Sequence, residues 1–162
     1  MLGLHLGLHT GQREYDLITL PWSAFDGIGF SLTQSKTGRD VYVPCTEELL
    51  RVLDETPKRS TLIMTNTRGR PWTQDGFQTS WRKAAIKSGI QGRLRFNDLR
   101  DTTVTMLSEA GCTVPEIATI TGHTLKSVDQ ILERYMSRTK VMATAAIVKL
   151  DVWRRTGEQQ KL

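Results

Sequence analysis

Two arginines, a lysine, a histidine and a tyrosine stand at spacings that could grip an anion. Arg13 follows Thr10-Gly11-Gln12 and precedes Asp16 by three residues. That is one helical turn if the segment is helical, and a carboxylate there can hold a guanidinium fork in one orientation. Lys36 lies at the mouth of a hairpin pattern, where a turn could present its ammonium to a ligand. Asn97 and Arg100, at i and i+3, open a helical pattern, and a helix N-terminus favours anions. His123 follows Gly122 in a tight interhelical turn, and Tyr135 falls in Glu133-Arg134-Tyr135-Met136-Ser137-Arg138. Taken singly, each has an ordinary explanation. Arg13 could be in a surface ion pair, Lys36 could serve solubility, and Asn97 could be a cap. Arg100 could be solvated, His123 incidental and Tyr135 packed.

The elements that must position these groups read as an α+β fold: a small antiparallel β-sheet or hairpin near the N-terminus, followed by a mostly helical bundle. The first 45 residues read as strands and turns, with Leu17-Ile18-Thr19-Leu20 running to a break at Pro21. Residues 30–35 and 40–43 alternate around Lys36-Thr37-Gly38-Arg39 and predict a β-hairpin ended by Pro44. Thr46 caps a helix from Glu47 to about Glu55. Pro57-Lys58-Arg59-Ser60 is a loop and Leu62-Ile63-Met64 a short buried run. Phe77, Trp81, Ala84 and Ala85 then repeat at helical spacing until Gly89. Asn97 predicts an N-cap for a helix over 98–110, closed by Gly111, and Thr113-Val114-Pro115-Glu116 is a capping box for another. Ser127-Val128-Asp129-Gln130 predicts a box for a helix to about Tyr135, and an Ala-rich helix spans Val141 to Leu150.

The chain has 162 residues, 38% of them apolar, enough for one core. No apolar run is long enough to cross a membrane, and the apolar start lacks the basic flank and cleavage site of a secretory signal. Cys45 and Cys112 are far apart and lack metal-ligand spacing, which argues against a disulfide scaffold or zinc finger and fits a reducing cytoplasm. The net charge of +5 is unevenly placed. Residues 1–80 carry 8 basic and 9 acidic side chains, and residues 81–162 carry 14 and 8. Arg82, Lys83, Lys87, Arg93, Arg95 and Arg100 stand against Asp98 alone over 82–100, the footprint of a polyanion partner or of a solvated helix face.

In chain order, Thr-Gly-Gln-Arg, the hairpin lysine, Asn-Asp-Leu-Arg, Thr-Gly-His and the tyrosine resemble the tyrosine recombinase (phage integrase) family from about Thr10 to Leu150. The resemblance implies that Arg13 and Arg100 are the two arginines, with Asp16 as an acidic buttress. It makes Lys36 the hairpin lysine and general acid, His123 the histidine of the Gly-His turn, and Tyr135 the nucleophile. It further implies metal-free transesterification through a 3′-phosphotyrosine, without a cofactor, on double-stranded DNA. Arg13, Arg100, His123 and Asn97 would then stabilise phosphate charge. Arg39, Arg82, Lys83, Lys87, Arg93 and Arg95 are candidates for backbone phosphate contacts, with Lys126 and Arg138 beside them. The C-terminal helix would pack on a neighbouring protomer, assembling a homo-tetramer on DNA.

Two departures qualify this picture. Asn97 stands where the family commonly has histidine, and an amide can neither carry charge nor shuttle a proton. Only 12 residues precede Arg13, whereas family members usually carry a separate core-binding domain there. Residues 1–150 therefore read as an N-terminally truncated catalytic domain and 151–162 as a polar tail, in a bacterial or phage-encoded cytoplasmic protein with no membrane contact. The alternatives are a catalytically lapsed DNA-binding remnant of a mobile element and a small regulator using 113–135 as a helix-turn-helix.

Overall fold

The computed structural model describes residues 2–90, 94–135 and 140–159. Helices α1 (Leu2–Thr10) and α2 (Glu14–Ile18) come first, then a 3-10 turn (Trp22–Ala24) and the hairpin strands β1 (Gly29–Thr33) and β2 (Asp40–Pro44). Six helices follow: α3 (Glu47–Asp54), α4 (Gln74–Lys87), α5 (Asp98–Glu109), α6 (Val114–Thr121), α7 (Leu125–Tyr135) and α8 (Lys140–Gln159). No described helix is long and apolar enough to cross a membrane.

The hairpin is antiparallel, with Phe30 opposite Val43 and Leu32 opposite Val41. Phe30, Val41 and Val43 turn inward and are buried. The expected strand at 17–20 is instead the end of α2 and the link after it, and 2–10 is helical. Leucine at positions 2, 4, 6 and 8 imitates a strand's period of two. Here the helix is packed around much of its circumference, which removes any polar stripe from its sequence. Gly7 allows the close approach: a Cβ there would lie 2.7 Å from Leu99 Cδ1 and 3.0 Å from Phe96 Cζ.

Two apolar clusters form. The larger includes Leu6, Leu17, Phe30, Leu49, Ile63, Phe77, Phe96 and Leu99; the smaller gathers Val104, Ile117, Ala118 and Val128. Phe96 takes Phe77 and Trp81 edge-on, each at 5.0 Å between centroids, fixing α4 against the segment that enters α5. Helix α5 contributes Leu99 to one cluster and Val104 to the other, so Arg100 and Thr103 lie at the seam between them.

Threonine caps explain four of the helix starts, and three expectations are corrected. Thr46, Thr73 and Thr113 accept from backbone N–H groups three residues on, and the Thr113–Glu116 box is present. Asn97 does not cap α5 with its side chain. Helix α7 begins at Leu125, where Thr124 Oγ1 accepts from Ser127 N at 3.1 Å, so Ser127 is inside the helix and does not cap it. The last helix does not stop at Leu150 but continues to Gln159, because 151–156 contains no helix breaker.

Candidate functional site

A layer of buried polar side chains lies along the seam: Thr10, Gln12, Asp16, Gln34, Arg100, Thr103 and Thr121. Burying so many polar groups is costly unless they bind one another, and among the described residues they do, apart from Asp16 Oδ2 and Arg100 Nη2. Gln34 is fully buried; its amide N–H2 donates to Gln12 Oε1 (2.7 Å) and to the Thr121 carbonyl (2.9 Å). Its Oε1 accepts from Arg13 Nη1 (3.0 Å) and Thr37 Oγ1 (3.1 Å). Gln12 donates to the Ile120 carbonyl (2.8 Å). One network thus ties the α1–α2 link, the hairpin mouth and the end of α6.

Arg100 Nη1 donates to the Gly11 carbonyl (2.6 Å) and Nε to His123 Nε2 (3.0 Å), whereas Nη2 is buried with no hydrogen-bond partner among the described residues. Gly11 adopts a φ of +61°, and a Cβ there would stand 3.0 Å from Thr121 Cγ2 and 3.1 Å from Thr103 Cγ2. Only glycine permits both the left-handed turn and that approach without strain.

The tautomer of His123 follows from its neighbours. Thr121 Oγ1 spends its hydrogen on the Ile117 carbonyl (2.6 Å), so it must accept from His123 Nδ1 (2.9 Å). Nδ1 carries the proton, and Nε2 is the bare nitrogen that accepts from Arg100. The imidazole therefore does not offer a free donor, contrary to its expected part as one. Burial, then the charges of Arg100 and Arg13, hold its pKa down to about 4. Burial and repulsion from Arg13 lower that of Arg100 to about 9, opposed by Asp16 and Asp101. At neutral pH His123 is neutral and Arg100 remains a cation. An unfolded imidazole takes a proton near pH 6.5 and the folded one only near 4, so the unfolded state binds more protons in that window. Stability should therefore fall as pH drops from 6.5 to 4. In thermal melts His123→Asn should lose less than wild type over that range, by about 2 kcal/mol after allowance for partial exposure. Parallel losses would contradict the neutral, partly buried imidazole.

The other expected residues fall around this cluster. Asp16 Oδ2 is 4.0 Å from Arg13 Nη1, at the edge of an ion pair, while Oδ1 accepts from Ser35 N at 2.9 Å. Asp16 thus anchors the hairpin mouth as much as the guanidinium. Lys36 is exposed in that mouth, between the anchored Ser35 and Thr37. Asn97 Oδ1 accepts from Glu14 N (3.3 Å), joining the start of α5 to the residue after Arg13. Tyr135 ends α7, 54% exposed, on a helix packed against the α5 that carries Arg100. Arg39 Nη1 donates to the His123 carbonyl (2.9 Å), so it braces the turn. Arg82, Lys83, Lys87, Arg95 and Lys126 are exposed. Arg82 and Arg95 share a groove of about 510 Å³ with Glu14 and Asn97. Arg93 and Arg138 lie outside the described residues.

Gln12, Gln34 and Thr121 were missed as site residues. Gln34 left one legible signal: it continues the inward face of Phe30 and Leu32, where a polar side chain needs buried partners. Gly122 has φ +68°, and a Cβ there would come within 2.3–2.5 Å of the Gln34 amide. Gly122→Ala should therefore cost roughly 2–4 kcal/mol, lowering the Tm by about 5–15 °C. An unchanged Tm would contradict this packing.

The Phage integrase family model matches residues 2–140. The shufflon-specific DNA recombinase of Escherichia coli is 31% identical over 161 residues, covering 96% of this chain and 38% of that protein. The chain thus spans well under half the length of this relative. XerA recombinase superposes with a TM-score of 0.72 at 19% identity, over 93% of this chain and 56% of the other. A lambda integrase dimer bound to a COC′ core site gives 0.73 at 23%, over 86% and 43%. These structural likenesses bear out the α+β architecture. With the family model covering most of its length, the chain belongs to the phage integrase, or tyrosine recombinase, family.

Proposed function

We propose that this chain supplies the catalytic part of a DNA recombinase that joins strands through a 3′-phosphotyrosine. The observation that carries the reading is the buried Arg100 guanidinium, with Nη2 unpartnered among the described residues and the Arg13 cation near enough to depress its ionisation. Two such forks suit the non-bridging oxygens of a phosphodiester, where negative charge grows on attack. Tyr135 Oη would bond to phosphorus, its proton passing to water at this exposed position, while the P–O5′ bond breaks and Lys36 protonates the leaving oxygen. A 5′-hydroxyl from a second strand then gives its proton to the now neutral Lys36 and attacks phosphorus, and the P–O bond to tyrosine breaks with water reprotonating Tyr135, so resealing needs no ATP.

His123, engaged by Arg100 and Thr121, is a positioning residue in this scheme; Asp16 positions Arg13 and the hairpin mouth. Asn97 contributes a neutral N–H2 donor. Arg39, Arg82, Lys83, Lys87, Arg93 and Arg95 would hold flanking phosphates, giving salt-dependent affinity without base readout. Helix α8 exposes Ile147, Leu150 and Trp153 along one side, an apolar stripe suited to a neighbouring protomer in a DNA-bound tetramer.

Relaxation of supercoiled plasmid without ATP, alongside salt-dependent duplex binding, tests the reading. Asn97 in the histidine position favours one other reading, a lapsed DNA-binding remnant; salt-sensitive binding without relaxation or adduct would select it. Lys36→Ala should slow cleavage by about 10²–10³. A substrate with sulfur at the bridging 5′ position should restore the rate, because a thiolate leaves without a proton. Failure of that rescue would remove Lys36 from the acid's role.

A further inference from the structure

Away from the polar layer, α1 and α3 bring three metal-ligating side chains together. His5 and His9 are separated by four residues on α1, so both project from one face. Their rings lie nearly parallel, 5° apart with centroids 5.9 Å apart. Glu48, in the first turn of α3, faces both: Oε1 is 3.4 Å from His5 Nδ1 and Oε2 is 3.7 Å from His9 Nε2. All the ligand atoms lie within 4.8 Å of one another, and no other such group of three or more occurs among the described residues.

These separations exceed an ordinary N–H···O distance of about 2.7–3.2 Å. The two imidazole–carboxylate distances are close to the edge of a tetrahedron around zinc, whose bonds of about 2.0–2.2 Å set ligand atoms roughly 3.3–3.6 Å apart, whereas the group as a whole spreads to within 4.8 Å and must draw in around an ion. A supporting partner is also in place. His9 Nδ1 is 2.8 Å from Thr46 Oγ1, the oxygen that caps α3 by accepting from Leu49 N. Donation from Nδ1–H to that oxygen would leave Nε2, the nitrogen facing Glu48, as the ligand atom. That is the usual outer-shell arrangement for a metal-bound imidazole. Glu48 is 54% exposed at its side chain, leaving a coordination position open to water.

We propose that His5, His9 and Glu48 form a site for one zinc-class divalent ion that fastens α1 to α3. The two-imidazole, one-carboxylate set suits zinc and not magnesium, which requires oxygen ligands. The clasp would close one residue before Thr10-Gly11-Gln12-Arg13, and so steady the segment that delivers Arg13 and the Gly11 carbonyl. Metal binding at this site does not rest on the strand-joining reading.

The test titrates the chelator-treated, chelator-free chain with Zn²⁺ by calorimetry and thermal melting, and with Co²⁺ by visible absorption. Expected are one Zn²⁺ per chain, a raised Tm, the intense Co²⁺ bands of four-coordination, and no response to Mg²⁺. His5→Ala and Glu48→Ala should each weaken Zn²⁺ binding at least tenfold, whereas His123→Asn should not. Glu48 is exposed, so its variant tests the site in a folded chain. No saturable binding at millimolar Zn²⁺, a weak six-coordinate Co²⁺ spectrum, or affinity indifferent to both substitutions would overturn the proposal.

Discussion

Tyr135→Phe is expected to abolish the covalent protein–DNA intermediate and all strand joining while DNA binding stays at wild-type strength. The substitution removes one oxygen from a side chain that is 54% exposed at the last position of α7. The helix is held elsewhere, by the fully buried Val128 and the partly buried Ile131 and Leu132 in the smaller core, so folding should change by less than about 0.5 kcal/mol. The other two tyrosines offer poor substitutes. Tyr42 is on the hairpin with its hydroxyl on Asp26 Oδ2 (3.1 Å), and partial desolvation, then that hydrogen bond, raise its pKa. Tyr15 lies on α2, 48% exposed, on the helix that follows Arg13. Residual joining in the variant would remove Tyr135 from the nucleophile's place.

Arg100→Lys should lower the cleavage rate by at least about 10³, near 4 kcal/mol in the barrier, although the charge is kept. An ammonium cannot reproduce a fork that donates at once to the Gly11 carbonyl, to His123 Nε2 and, through Nη2, to a bound phosphate. The fold should suffer as well, by roughly 1–3 kcal/mol, because a buried carbonyl and a partly buried imidazole lose their donor. Rates must therefore be compared well below the variant's Tm. DNA affinity should change little, since one phosphate contact among many is altered. A loss smaller than tenfold in single-turnover cleavage would contradict the proposed grip on phosphate.

The outline of this fold was legible wherever the signal was local. Thr113 and Glu116 announce a helix start because both partners of the box are three residues apart, and the hairpin follows from alternation around Gly38. The polar layer was not legible in the same way. Gln34 meets Thr121 across 87 residues and Gln12 meets Ile120 across 108, and no spacing rule reaches that far. The candidate site residues were nameable from their order in the chain, but not the network that seats Arg13 and Arg100. Asn97 shows a different limit. It has the residue type and position of a helix cap, yet its side-chain oxygen accepts from Glu14 N, and tertiary pairing overrides the local preference. Helix α1 was obscured for a third reason, since leucine at every second position suggests a strand until the neighbours that pack around it are known.

The most direct test is to identify which side chain carries DNA. The chain should be incubated with a nicked duplex that traps the cleaved strand, digested with trypsin and nuclease, and analysed for a nucleotide-bearing peptide. With only three tyrosines in the sequence, the assignment is unambiguous. The adduct is expected on Tyr135, in the short peptide between Arg134 and Arg138. An adduct on Tyr15, on Tyr42 or on a residue other than tyrosine would contradict it.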